Sequence, residues 1–514
     1  MSEPRILPFG ATAVLVEVAD TSEVVRLIRR LGDPPEGVTD IVPAARTILV
    51  QIDPRRTSLS TVTAWVMGTD HSADAKTPPP SLVLDVSYIG EDLSALAGFF
   101  GVTDEEVVAR HVSASWEVAF TGFAPGFGYL LSEDWPFDVP RLATPRTRVP
   151  AGAVGLAGAY TGCYPRATPG GWQLIGHTDA VLFDVARERP ALLSPGANVR
   201  FRASRERIVA APPASRPPTH TSGALEVVVP GPLTTVQDLG RTRLRADGVA
   251  TAGAADRAAF RLANRLVGNP EASPALEVTV GGLRLRVHRT LVFVVTGAWG
   301  PVRIDGRDVD PYVAHTVSPG AEIAVGPFVH GVRAYVAVHG GIDARPVLGS
   351  ASTDTLSGLG PGSLVSGDRL DVAGVSQELP VPEVYPWGPP PDDTVELELE
   401  AGPRADWFTA DAHALLYDAE WAVTADTSRV GVRLSGPTLA RARSGELPSE
   451  GMLPGAIQVP PDGQPVILGP DGPVTGGYPV VAVVSDATRD RIAQARPGTR
   501  VRFRHARTTG RSPR

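Results

Sequence analysis

Apolar and polar residues alternate through ATAVLVEV at 11–18 and again through RTILVQID at 46–53, which predicts two strands. Between them, SEVVRLIRRL at 22–31 places its apolar residues at helical spacing, so residues 1–75 read as a small α/β subdomain. A proline-rich joint, DAKTPPPS at 74–81, precedes the strand LVLDVSY, a helix from Asp92 to Phe100 and a helix start at Thr103, with Glu106 three residues on as a capping box. This second unit is expected over 81–205. A linker is expected at 206–224, where APPASRPPTHTSG at 211–223 cannot continue either periodicity. Two further parts follow, at 225–380 and 381–507. In the first, Asp256 caps RAAFRLANRLV, whose Phe260, Ala263 and Val267 recur at helical spacing until Gly268, Asn269 and Pro270 stop it. In the second, DAHALLYDAE predicts a helix around residue 414.

The chain repeats itself. PGANVRFR at 195–202 returns as PGTRVRFR at 497–504; GGW at 170–172 returns as GGY at 476–478, and PAGAV at 150–154 as LPGAI at 453–457. The order is kept, so a β-rich module is duplicated. SPGAEIAVGP at 318–327 reads as a weaker third copy. Short strands between Gly/Pro turns favour closed barrels over sandwiches, giving a mainly β fold with some α.

A length of 514 residues implies two to four domains, and a net charge of −8 gives no nucleic-acid surface. Lys76 is the only lysine, preceded by Ala75, so neither a lysine Schiff base nor a GxxxxGK[ST] phosphate loop is available. Anions must then be held by arginine forks, main-chain N–H groups or a metal. Cys163 stands alone, which excludes intrachain disulfides, and it is expected to pack as a small apolar residue; nucleophilic chemistry is the other reading. The histidines are scattered without HExxH or H-x-H spacing, so no intrinsic metal site is expected. No G-x-S-x-G elbow occurs, and Ser357 sits in what reads as a loop. With no signal-peptide pattern and no apolar run of membrane-spanning length, a soluble cytoplasmic protein is expected.

Candidate chemistry concentrates at 121–178. Gly126, Gly128, Gly170 and Gly171 permit positive φ and close approach, neighbouring prolines stiffen the chain, and Phe127, Tyr129, Tyr160, Tyr164 and Trp172 supply rigid contact area. Arg141, Arg146, Arg148, Gln173 and His177 add polar groups, the composition of a small-molecule pocket wall. The same pattern also describes a barrel corner whose aromatics pack on one another, and both readings stand. His177 is a candidate for proton transfer or substrate anchoring. Elsewhere Gln237 and Asp238 lie beside Arg241; Asp256, Asn264 and Glu277 follow; Gln458, Gln464, Asp471 and the Gly476-Gly477-Tyr478 turn come near the end. Asp238 can equally pair with Arg241, and Asp256 can be a plain helix cap.

The order F-x-P-G-F-x-Y-L, P-R-x-x-x-P-R, P-A-G-x-V, Y-P and P-G-G-W-x-L-I-G-x-T resembles the first of two subunits long called allophanate hydrolase subunits 1 and 2. These are grouped with 5-oxoprolinase subunits B and C and with the carboxyltransferase part of urea carboxylase. Beyond residue 225, PGPLTTVQDLGR, AGAADRAAFRLANRLVGN, ALEVTVGG, VAVHGGI, GAIQVPPDGQP and TGGYP are similar to the second subunit, in the same order. The chain thus resembles both subunits fused head to tail, which implies cyclophilin-like β-barrels. One departure is visible. The family commonly runs D-R-Q-T-T-G-G-Y-P, whereas here Asp471 is followed by Gly472, Pro473 and Val474 before TGGYP, removing donors that would grip an anion.

The resemblance implies the B/C component of an ATP-dependent 5-oxoprolinase, using ATP with magnesium and a separate A-type subunit to open a lactam. Catalytic roles then fall to His177, Asp471 and Asp238. Substrate contacts fall to Gly126, Phe127, Tyr129, Arg141, Arg146, Gly170, Gly171, Trp172, Gln237, Arg241, Asn264, Gln458, Gly476, Gly477 and Tyr478. Alanine at Asp471 or Arg146 is expected to abolish activity and leave the fold intact. A second reading is a carboxyltransferase moving CO₂ from carboxybiotin to urea or a related amide; since Lys76 lacks flanking methionines, the biotin carrier is a separate chain. A third is a regulator of a sensor histidine kinase, disfavoured because one family pair acts as inhibitor and antagonist and their fusion would cancel itself. Homo-oligomer formation is left open.

Overall fold

The computed structural model describes residues 3–69, 80–204, 223–374, 378–380, 388–391 and 393–506. Lys76, most of the proline-rich joint and most of the expected linker lie outside them.

The chain begins with a four-stranded antiparallel sheet in the order Arg5–Pro8, Ala13–Glu17, Thr47–Ile52, Val38–Pro43. Its strands are apolar on both faces because both are covered. Val14, Val16, Ile48 and Val50 pack on the helices Thr21–Arg30 and Leu59–Met67. Leu7, Ala13, Leu15 and Leu49 point the other way, into a core shared with Met452, Leu453, Leu468, Val474 and Val480 near the far end of the chain. Asp20 and Ser58 cap the two helices by accepting from the amides of Glu23 and Thr61.

The repeated motifs form two barrels of the same topology. In the first, seven strands run in the spatial order Gln173–His177, Ala153–Ala157, Tyr160–Cys163, Gly128–Leu131, Trp116–Thr121, Asn198–Ala203, Ser81–Val86. Its edges are joined where Ser87 and His177 exchange main-chain hydrogen bonds of 2.8 and 2.9 Å. The second is closed in the matching order Val480–Val484, Ala456–Gln458, Val466–Leu468, Gly431–Ser435, Trp421–Val423, Arg500–His505, Thr394–Ala401. In each, the PGxxVxF strand lies parallel to the first strand of its barrel, while the other pairs are antiparallel. Alternation explains the repeat: Val199 and Phe201, like Val501 and Phe503, enter the core, and the intervening arginines face water.

Residues between the barrels depart from expectation. A seven-stranded and a five-stranded sheet face one another across a single core containing Leu225, Leu285, Phe293 and Val336, so this part is a sandwich and not a third barrel. Glu322–Val325, inside SPGAEIAVGP, pairs antiparallel with Leu283–Val287 and Val302–Ile304, so it does not repeat the parallel pairing of the two barrel strands. Strand alternation is identical in a closed sheet and in two facing ones, which is why the pattern misled. Helix Arg257–Leu266, capped by Asp256 accepting from the Ala259 amide at 2.9 Å, packs Phe260 and Ala263 against Val294 and Tyr335 of the smaller sheet.

Candidate functional site

The structure brings together only part of the candidate set. Phe127, Tyr164 and Trp172 are buried, with Phe127 ring centroids 5.0 Å from Tyr164 and 5.3 Å from Trp172, and Tyr129 packs 5.4 Å from Trp172. The glycines make room for these rings: a Cβ on Gly162 would stand 3.1 Å from both Phe127 and Trp172, and one on Gly170 2.5 Å from the Tyr164 hydroxyl. Phe127 and Trp172, expected as ligand-facing walls, are buried and meet edge to face with one another and with the half-buried Tyr129. Gly126 does take a positive φ, +77°, and donates to the Asp247 carbonyl; Gly171 lies against Pro145. Arg146 is engaged by Asp92 at 2.8 and 3.0 Å and by Glu91 at 2.6 Å, whereas Arg141 is exposed. His177 sits half-buried at the barrel seam, its Nε2 3.2 Å from Asp179. Phe123 is 43% exposed at φ +65°. Cys163 is buried, with its thiol pushed up to about 12 by burial, consistent with apolar packing.

A second group does converge, around the loop 350–363 of the sandwich. The Asp238 carboxylate accepts from the Ser350 hydroxyl at 2.6 Å and from the amides of Ala351 and Gly240, each at 2.7 Å, and from Ser352. It orders the loop and makes no ion pair with Arg241, which donates instead to the carbonyls of Val347 at 3.0 Å and Ser352 at 2.5 Å. Gln237 donates to the Thr353 carbonyl and the Thr235 hydroxyl. From the second barrel, Asp471 accepts from both the amide and the hydroxyl of Thr355, at 2.9 and 2.6 Å. From the first barrel, Arg166 donates to the carbonyls of Ser357 and Leu356. Three modules thus hold one loop.

Behind the loop lies a buried charge network. Arg429 forks onto Asp471 at 2.8 and 2.9 Å, and pairs with Glu277, which also accepts from the Tyr335 hydroxyl at 2.8 Å and the Ala255 amide at 2.9 Å. Arg333 stands 3.7 Å from the same carboxylate. Burial pushes the Glu277 carboxyl up, but Arg429 and Arg333 overcome it and hold the group below its ordinary range. Asp354, wrapped by the amides of Leu356 and Ser357, is raised by burial and by the Asp471 charge. Asp256 is pushed up to about 6 by burial, against donation from Ala259 and Gln494.

Other expected contacts lie apart from the loop. Asn264 donates to the Ser273 carbonyl and accepts from Asn269, holding a turn. Gln458 contacts the Met452 sulfur at 3.2 Å and the Tyr478 carbonyl at 3.4 Å; a Cβ on Gly476 would stand 2.8 Å from its amide nitrogen. Gly477 is exposed and Tyr478 is 46% exposed.

Two cavities flank Arg333 and Arg429. One of about 920 Å³ is lined by Thr353, Asp354, Thr355, Gly358, Arg429 and Arg496, among others. A smaller one of about 240 Å³ lies on the other side, bounded by Arg257, Arg261 and Arg489 as well as Arg333 and Arg429. Sequence reasoning missed Arg166, Arg333, Asp354, Arg429 and Arg489. It also passed over the stripe Arg257, Arg261, Arg265, four residues apart on one helix face, a pattern the sequence does carry.

The profile described as "Carboxyltransferase domain, subdomain A and B" matches residues 247–505, and that described as "Carboxyltransferase domain, subdomain C and D" matches residues 4–193. Two 5-oxoprolinase subunits, C from Escherichia coli (strain K12) and B from Escherichia coli O157:H7, both match the chain. The first is 36% identical over 292 residues, covering 54% of this chain and 90% of that protein. The second is 38% identical over 218 residues, covering 40% of this chain and 99% of that protein. Urea amidolyase of Saccharomyces cerevisiae is 34% identical over 54% of this chain, which spans 16% of that protein. The crystal structure of TTHA0988 superposes with a TM-score of 0.85 at 34% identity, covering 96% of this chain and 99% of the other. The chain belongs to the carboxyltransferase-domain family that contains 5-oxoprolinase subunits B and C, with both parts present in one polypeptide.

Proposed function

We propose that this chain is the fused B/C component of an ATP-dependent 5-oxoprolinase that opens a five-membered lactam together with a separate A-type subunit. The observation that carries the reading is the pair of near-complete matches: the chain covers 99% of a B-type relative and 90% of a C-type relative. Opening a lactam breaks the bond between its carbonyl carbon and its ring nitrogen; phosphorylation of the carbonyl oxygen by ATP makes that carbon open to attack by water, the ring nitrogen leaves as the protonated amine, and a second water releases phosphate from the acyl phosphate to give the carboxylate. This chain's part is to bind and polarise. Arg429 and Arg496 and the main chain around Gly331, Gly358 and Gly362 border the wide cavity and are groups able to face phosphates or a developing oxyanion. Asp471 acts by orienting Arg429 and by fixing Thr355, and Asp238 by ordering residues 350–352, so both are positioning residues in this reading. His177 remains the candidate for proton handling at the rim of the first barrel, with Asp179 beside it. Cytoplasmic location and dependence on the A-type chain belong to the same proposal.

The family description and the urea amidolyase match favour a second reading, carboxyl transfer from a separate carboxybiotin carrier to urea or a related amide. One experiment separates them. The chain is incubated with a candidate A-type subunit, ATP and 5-oxoproline, and glutamate and ADP are measured; production of both requires all components. Absence of partner-dependent ADP release, with carboxylation of urea once carrier and carboxylase chains are supplied, would replace the first reading by the second.

A further inference from the structure

The cavity of about 240 Å³ is smaller than the roughly 300–1,000 Å³ usual for drug-sized ligands, so its occupant has few heavy atoms. Among the described residues, the five charged side chains that line it are all arginines: Arg257, Arg261, Arg333, Arg429 and Arg489. The carboxylates that pair with them stand behind and do not border the cavity. Asp490 and Asp486 hold Arg257 at 2.8 and 2.7 Å, Asp486 meets Arg489 at 3.1 Å, and Glu271 lies 3.5 Å from Arg261. Arg333 and Arg429 are held from behind by Glu277 and Asp471. Burial, and then the adjacent Arg257 charge, push the Arg489 guanidinium down to about 10, a sign that nearby carboxylates do not fully offset the buried positive charge. Apart from Thr251 and Ser428, the other side chains of the wall are apolar, Val432, Ile467, Leu468 and Ile492 among them. Such a wall suits a ring and is a poor match for an inorganic anion, whose oxygens would face carbon on one side.

We propose that this cavity binds a small cyclic carboxylic acid, its carboxylate received by Arg489 and Arg261 and its ring laid against Val432, Ile467 and Ile492. Arginine forks recognise a carboxylate with two parallel N–H donors, and the surrounding low dielectric strengthens the pair. The choice of acid rests on the 5-oxoprolinase reading; the anion site itself does not.

The test is direct binding to the full chain by titration calorimetry, with 5-oxoproline, its uncharged analogue 2-pyrrolidinone, and inorganic phosphate as probes. 5-Oxoproline is expected to bind at least about tenfold tighter than either of the others, because hydrogen bonds to charged groups contribute about 1.5–3 kcal/mol. Arg261→Gln, at a half-exposed position, should fold like the parent and bind about ten- to a hundredfold more weakly, and Arg261→Lys should recover part of the loss. Arg489→Met tests the buried partner, with its melting curve recorded alongside. Equal affinity for 2-pyrrolidinone, tighter binding of phosphate than of the ring acid, no binding to the parent chain, or unchanged affinity in Arg261→Gln would each overturn the proposal. If 5-oxoproline binds in this arginine-dependent way yet no partner makes glutamate, the anion site stands and the enzymatic reading fails. If glutamate forms at the parental rate and KM in Arg261→Gln, the enzymatic reading stands and the anion site fails.

Discussion

Asp471 illustrates how a residue chosen for catalysis can turn out to hold the fold. It is fully buried, forks with Arg429 and receives two hydrogen bonds from Thr355, so alanine there would strand a buried guanidinium. Removing one partner of such a pair costs about 3–5 kcal/mol, so Asp471→Ala is predicted to lower the unfolding free energy measured in urea by that much, and any loss of activity will come with loss of stability. An intact fold in that variant is therefore no longer expected. Asp256 gives a pH signature of definite sign. Burial lifts its carboxyl from the ordinary value of 3.8 to about 6, with Asp490 and Glu277 adding to the rise and Ala259 and Gln494 opposing it. The folded state therefore holds a proton that the unfolded chain has already released. Its contribution is full below about pH 4 and is lost as pH rises through about 6, a change on the order of 3 kcal/mol. Denaturation of the parent and of Asp256→Asn at pH 4 and pH 7 checks this: the parent's stability relative to the variant should fall on going to pH 7. Cys163, buried and with its thiol raised, should escape alkylation at pH 8 until the chain is unfolded, as peptide mass spectrometry would show.

At the level of elements, the duplicated strand is the feature most legible in the amino-acid sequence. PGxxVxF marks the parallel strand in both modules because a strand paired on both sides with one face in the core needs the same inward Val and Phe each time. The helix starts at Thr103 and Asp256 are legible for the same local reason: a cap is a hydrogen bond between near neighbours in sequence. What could not be read depends on distant partners. Asp238 looks like an ion-pair partner of Arg241 three residues away, yet besides the Gly240 amide its donors come from 350–352, more than a hundred residues on. Likewise Arg429 carries no motif, and its importance arises only when Glu277 and Asp471 arrive from either side. The two barrels share one further device that follows from this logic. Trp116 and Trp421 each donate from the indole to a carbonyl five residues earlier, His111 at 3.0 Å and Leu416 at 3.2 Å, fastening the preceding helix to the strand it feeds. Replacing either by phenylalanine leaves that carbonyl without the indole donor and removes some buried area, so both variants should lose roughly 1–3 kcal/mol, and by similar amounts. A large difference between the two, measured by urea denaturation, would show that the corners are not equivalent.

On the scale of the whole molecule, the two halves are not independent bodies on a string. The first strands of the chain present Leu7, Phe9, Leu15 and Leu49 to Met452, Leu453, Leu468, Val480 and Val483 of the last barrel. Around this core, Arg404 pairs with Glu450 of its own half and, at 2.6 Å, with Glu17 of the first sheet. Asp40 accepts from the amides of Arg243 and Arg245, and the Ala45 amide donates to the Ser449 carbonyl at 3.0 Å. An apolar sheet face cannot remain in water without cost, so the fused connection is not what keeps the halves together. A protease site introduced between residues 205 and 222 should therefore give two fragments that co-elute in gel filtration after complete cleavage. Leu49→Asp places a carboxylate in that core against Gly451, whose Cβ position is 2.6 Å from the Leu49 side chain, and should make the cleaved fragments separate. Because Leu49 faces the far barrel while Ile48 and Val50 face the helices, Val50→Ala makes the control: it weakens the first subdomain internally and should leave the fragments associated. Fragments that part without any substitution would show that the shared core is too weak to hold the site together, and would make the covalent fusion itself the organising feature of the molecule.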